Sequence, residues 1–147
     1  MRISTRGRYA LQAMVVMAGS EGGESLRLRD IAQRAGISEN YLEQLFIQLK
    51  EHGLVRGIQG ANGGYVLARP DTGITAGDVL RAVESSFNPV TCLGEEKCNR
   101  EEICITRLVW KGLQDRIFCV VDGKTLADLA AAYRAMPETT TEPDFVI

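Results

Sequence analysis

With 147 residues, 45% of them hydrophobic, the chain can bury one core or two very small ones, and no stretch approaches the roughly 18 consecutive apolar residues of a membrane span. The opening MRISTRGRYALQ lacks the order of a secretory signal, so the expected compartment is the cytoplasm, where clustered cysteines serve metal, cluster or oxidant chemistry rather than disulfides. The net charge of −2 hides a polarity: residues 1–69 hold nine Lys/Arg against six Asp/Glu, whereas residues 70–147 hold eight against thirteen, so the first part is the one suited to phosphate.

RYALQAMVVMA, residues 8–18, predicts a buried first helix that stops at the breaker GSEGGES. Leu28, Ile31, Ala32 and Ala35 mark one face of a short second helix, with Gly36 as the turn after it. Ser38 is placed to cap a third helix that buries Leu42, Leu45, Phe46 and Leu49 and ends at Gly53. His52, the single histidine, reads as an ordinary residue at the carbonyl end of that helix. LVRGI and YVLAR flank QGANGG and predict a hairpin. After Pro70, the pair Thr75 and Asp78 forms a capping-box pattern for a helix of about two turns ending near Glu84. Apolar residues at 103, 110, 113, 117 and 120 predict one long amphipathic helix over 103–121 with near-heptad spacing. Thr125 and Asp128 cap a last helix, LADLAAAYRAM, before the polar tail PETTTEPDFVI.

Two short helices joined by a glycine turn and followed by a Gly-rich hairpin form the order of a winged helix-turn-helix. The fold class is therefore mainly α with a small β-hairpin wing, extended by a long helix. In this arrangement the third helix enters the major groove, about 12 Å wide, and Ser38, Asn40, Tyr41, Glu43 and Gln44 stand at its leading end as candidates for base edges and phosphates. Glu43 suits the amino group of cytosine. Arg56 and the tip Gln59, Gly60, Asn62, Gly63 and Gly64 would lie against the backbone or minor groove, while Arg2, Arg6, Arg8 and Arg29 are candidate phosphate contacts. No Ser/His/Asp set, phosphate loop or nucleotide fingerprint supports an enzyme. A winged-helix adaptor acting through protein contacts in cluster assembly is the alternative from another class, and salt-sensitive binding to duplex DNA separates the two.

The stretches MRISTRGRYALQAM, LRDIAQRAGISENYLEQL and LVRGIQGANGGYVLARP followed by ITAGDVLRAVE closely resemble the bacterial winged-helix regulators of the IscR, NsrR and CymR type, over residues 1 to about 130. The resemblance implies a homodimer joined through the helix at 103–121, reading a roughly palindromic operator in double-stranded DNA. It divides the chain into a DNA-binding domain at 1–84, a cysteine-bearing sensor loop at 85–102, a dimerisation helix with the last helix at 103–134, and a flexible tail at 135–147. In the cluster-binding branch the loop carries C-x5-C-x5-C, which Cys92, Cys98 and Cys104 match position for position. The implied cofactor is an iron–sulfur cluster, 2Fe–2S or 4Fe–4S, which favours cysteine sulfur and usually takes four ligands. A thiol redox switch is the competing reading of the triad, and zinc fits less well because structural zinc ligands come in pairs at shorter spacing.

The fourth ligand departs from the family pattern. The IscR type continues C-x2-H, but Arg107 occupies that position, and where the NsrR type uses an acid near residue 8 this chain has Arg8. Cys119, Glu95, Glu96, Glu101, Glu102, an external thiol and solvent all stay open, although Cys119, beside Phe118 and Val120, reads first as a small buried hydrophobe. The terminal Asp144, Phe145, Val146 and Ile147 resemble the C-terminal peptide with which serine acetyltransferase enters cysteine synthase. The CymR type acts in complex with that enzyme. The second expectation is therefore a repressor of cysteine metabolism with cysteine synthase as partner, held through a terminal carboxylate.

Overall fold

Ser4 opens the first helix, its hydroxyl accepting from the Gly7 amide, so that α1 runs Thr5–Gly19 and starts three residues before the predicted Arg8. The polar first turn, TRGR, carries no hydrophobic signal, and the cap decides the boundary. The computed structural model describes residues 3–20, 23–85, 87–89, 93 and 105–137. Ala10, Ala13, Met14, Val16 and Met17 make α1 the spine of the core, against which α2 (Leu28–Ala35), α3 (Glu39–Glu51), α4 (Ala76–Val83) and α6 (Leu126–Ala135) pack.

Gly36 takes a left-handed φ of 67° after α2 and turns the chain, and the Ile37 amide donates back to the Ala32 carbonyl. Ser38 then caps α3 by accepting from the Tyr41 amide at 3.3 Å. Leu42, Leu45, Phe46 and Leu49 are buried as expected, each stabilising the fold by about 1.5–3 kcal/mol relative to exposure. β1 (Val55–Ile58) pairs antiparallel with β2 (Gly64–Leu67), in a register that sets Val55 opposite Leu67 and Ile58 opposite Gly64. Phe46 meets the Tyr65 ring edge-on at 4.8 Å, which joins α3 to the hairpin through the core.

Both predicted capping boxes are present: Thr75 with Asp78 starts α4, and Thr125 with Asp128 starts α6. The two caps face each other in an antiparallel bridge, where the Ala76 amide donates to the Lys124 carbonyl and the Leu126 amide to the Ile74 carbonyl, both at 2.8 Å. Leu126 and Ala130 thereby enter the core beside α1. The last helix thus packs into the amino-terminal core against α1.

The long helix, α5, spans Arg107–Asp122, beginning later than the predicted 103. Residues 105 and 106 form a turn before it, and 103 and 104 lie outside the described residues. Gln114 is the one buried residue of α5, while Ile105, Leu108, Val109, Leu113 and Val120 are all exposed. Cys119 is also exposed in the protomer, which corrects the expectation of a buried small hydrophobe: it sits on a helix that packs against the rest of the chain mainly through α4. The architecture is mainly α with a hairpin wing, six helices and two strands among the described residues. No described helix is long and apolar enough to cross a membrane.

Candidate nucleic-acid interface

The outward side of α3 carries Glu39, Asn40, Glu43 and Gln44, all exposed, because the spacing that buries Leu42, Leu45 and Phe46 turns these positions to solvent. Ser38 is exposed, and its hydroxyl oxygen accepts from Tyr41, so it presents itself at the leading end while capping the helix. Tyr41 is half-buried, its ring edge-on to Tyr9 at 5.7 Å. Periodicity alone passed over Ile47, which is half exposed and lies with Arg6, Tyr41, Gln44 and Gln48 around a shallow hollow of about 400 Å³. An exposed isoleucine on a helix whose other apolar residues are buried is the signal for it.

Arg6 reaches this hollow from α1, and a guanidinium hydrogen bond to the Val83 carbonyl at 3.4 Å steadies it. The start of α1 is held by Glu84, whose Oε1 accepts from the Ser4 amide at 3.0 Å and the Ser4 hydroxyl at 2.8 Å. Gly7 makes this possible, since a Cβ there would overlap that carboxylate. Arg8 follows Arg6 by two positions, faces another side of α1, and lines an apolar groove between α1 and α6 with Leu11, Val15 and Tyr133. The structure therefore brings Arg6, but not Arg8, to α3. Arg29 is exposed on α2, and Arg2 lies outside the described residues.

Arg56 is exposed on β1, and the tip, residues 59–62, is exposed throughout. Gly60 needs its glycine for a φ of 116°. Gly63 and Gly64 are instead required by close approach within the protein: a Cβ on Gly63 would overlap the Ile58 carbonyl, and one on Gly64 the Leu26 carbonyl. Two residues absent from the sequence reading, Ser25 and Arg27, hydrogen-bond the tip at the Asn62 and Ala61 carbonyls.

Cys92, Cys98 and Cys104 lie outside the described residues, as do Glu95, Glu96, Glu101 and Glu102, and so do Asp144, Phe145, Val146 and Ile147. Among the described residues no group of three metal-ligating side chains assembles. Phe87 is buried and stacks on Phe118 of α5 at 6.0 Å, and Asn88 accepts from the Gln114 side chain. Arg81, near the end of α4, grips Asp122 with two hydrogen bonds of 2.7 and 2.8 Å and lies 4.8 Å over the Phe118 ring. That hydrogen-bonded pair holds the Asp122 carboxyl below its ordinary value and raises Arg81.

The sequence profile of the Rrf2 family, described as iron-dependent transcriptional regulators, matches residues 3–132. The IscR transcriptional regulator of Yersinia enterocolitica is 40% identical over 129 residues, covering 88% of this chain and 79% of that one. Among solved structures, CymR, the global cysteine regulator of B. subtilis, superposes with a TM-score of 0.77 at 42% identity, over 90% of this chain and 98% of the other. IscR of T. potens superposes at 0.75 with 36% identity, over 95% and 94%. A helix-turn-helix, a wing and a protruding helix in this order, matched over nearly the whole chain, place the protein in the Rrf2 family of transcriptional regulators.

Proposed function

We propose that the chain is a dimeric DNA-binding regulator, acting in the cytoplasm, that responds to iron–sulfur cluster status through Cys92, Cys98 and Cys104. The observation that carries this reading is the cysteine spacing, placed between α4 and α5 in a chain akin to regulators named IscR. The donor set fits the group: three thiols at even spacing, with four carboxylates among them. Cys92, Cys98 and Cys104 would hold the cluster, which when bound supplies redox chemistry and sensitivity to iron supply. The fourth ligand is open, with Arg107 where the IscR-type pattern has histidine.

The chain's own residues supply the link to DNA. Phe87 and Asn88, at the entry of the cysteine segment, are fixed on α5, and Arg81 fixes α4 to the same helix. A shift at either end of that segment bears on the angle between α5 and the body that carries α3. In a dimer joined through the exposed apolar side of α5, that angle sets the separation of the two recognition helices. Glu43 and Gln44 would then read base edges, with Arg6, Arg29 and Arg56 on phosphates.

Iron and acid-labile sulfide per chain, measured with a visible spectrum on protein purified without oxygen, test the reading. Stoichiometric iron and sulfide, absent from the variant with all three cysteines changed to Ala, is the expected result. If that variant keeps both the metal content and the DNA affinity of the wild type, cluster sensing is wrong. The likeness to B. subtilis CymR favours a second reading, regulation of sulfur metabolism without a cluster. A colourless, metal-free protein that still binds DNA selects it. Neither the described residues nor the names of the relatives support cysteine synthase as a partner.

A further inference from the structure

Residues 25–27 do more than lead into α2. Leu26 exchanges two backbone hydrogen bonds with Tyr65, at 3.0 and 2.7 Å, on the edge of β2 away from β1, and so ties this segment to the wing by an isolated antiparallel bridge. Side chains alternate along extended chain, so Leu26 packs on the core while Ser25 and Arg27 share the opposite side. Both reach the tip. The Ser25 hydroxyl donates to the Asn62 carbonyl at 2.9 Å, and Arg27 Nη2 donates to the Ala61 carbonyl at 2.8 Å.

These are consecutive carbonyls in an exposed connection that contains Gly60 and Gly63. An untethered tip of this composition samples many conformations, and fixing each residue costs roughly 1–2 kcal/mol of entropy. The clasp from residues 25 and 27 fixes the tip before any partner arrives. Arg27 commits one of its five N–H donors to Ala61, is exposed, and makes no ion pair with a described carboxylate. A guanidinium with unspent donors, seated at the tip of an element that lies along a nucleic-acid backbone, has the chemistry of a phosphate contact.

We propose that Arg27 is a phosphate contact of the DNA complex and, with Ser25, a positioning residue for the wing. This rests on the DNA-binding reading above. The test measures affinity of the full-length chain for two duplexes, one selected by the wild type from a randomised pool and one of mixed sequence, across a salt series. Arg27→Ala is expected to lose about tenfold or more in affinity at low salt, and its slope of log affinity against log salt falls by about 0.9 per protomer. Arg27→Lys retains the slope. Ser25→Ala weakens binding with the slope unchanged, and Lys124→Ala, which removes an equal charge between α5 and α6, leaves both alone.

A wild-type slope in Arg27→Ala overturns the phosphate contact, and so does an equal fall in slope in Lys124→Ala, which would reflect overall charge. Wild-type affinity in Ser25→Ala overturns the clasp. A wild type that binds neither duplex with salt-dependent affinity defeats the DNA-binding reading itself and this inference with it.

Discussion

Gly64 shows how single residues in the wing are fixed by distant neighbours. Its φ is not in the left-handed region, yet a Cβ would overlap the Leu26 carbonyl. Gly64→Ala is expected to cost about 1–3 kcal/mol through overpacking, read as a lower urea midpoint, and to weaken DNA binding because the Leu26 bridge and the clasp it aligns are displaced. The tip glycines were legible in the sequence as turn formers, which is right for Gly60. The reason for Gly64 was not, because it depends on a carbonyl 38 positions earlier in the chain. Ser25 and Arg27 were missed for the same cause: a polar residue before a helix signals nothing until the hairpin folds back beside it. The α3 candidates were legible because helical spacing alone turns Asn40, Glu43 and Gln44 outward once Leu42, Leu45 and Phe46 are buried.

Elements are joined by a few specific contacts, and that between α4 and α5 depends on pH. The Arg81 hydrogen bonds hold Asp122 below the ordinary carboxylate range, with burial opposing them. A depressed carboxyl contributes stability that is fully present above its unfolded value, about 3.9, and is lost as pH falls through the folded value. Both side chains are substantially exposed, so the pair is worth about 0.5–1 kcal/mol. Asp122→Asn should lower stability by that amount at pH 7 and match the wild type in strong acid, in urea titrations at each pH. Helix caps at Ser38, Thr75 and Thr125 were legible as local patterns, and all three are formed. The start of α1 was not, because its cap at Ser4 precedes a turn without hydrophobic periodicity. Gln114 was also hidden: it is a polar residue made the buried one of α5 by Asn88, a partner 26 positions away.

At the scale of the molecule, α5 stands out from a body whose core is already complete around α1. Its apolar side chains include Leu108 at 83% and Val120 at 67% exposure, left open to water in the protomer. On the proposed dimer, Val120→Glu is expected to yield a folded monomer by sedimentation and to lose operator affinity by more than the tenfold of Arg27→Ala, because two half-sites would no longer be bound together. Near-heptad spacing made this helix legible, whereas its exposure became visible only in three dimensions. The bridge between Thr75 and Thr125 bears on the ancestry of such a molecule. It closes the base of an excursion made of α4, the cysteine segment and α5; α4 packs into the body, so only the part between Glu84 and Gly123 is free to vary, held at one end by α4 and at the other by the bridge into α6. Closing a loop twice as long costs only about 0.6 kcal/mol more, and a segment whose ends are fastened in this way can be exchanged, lengthened or stripped of its cysteines in evolution while the DNA-reading body keeps folding.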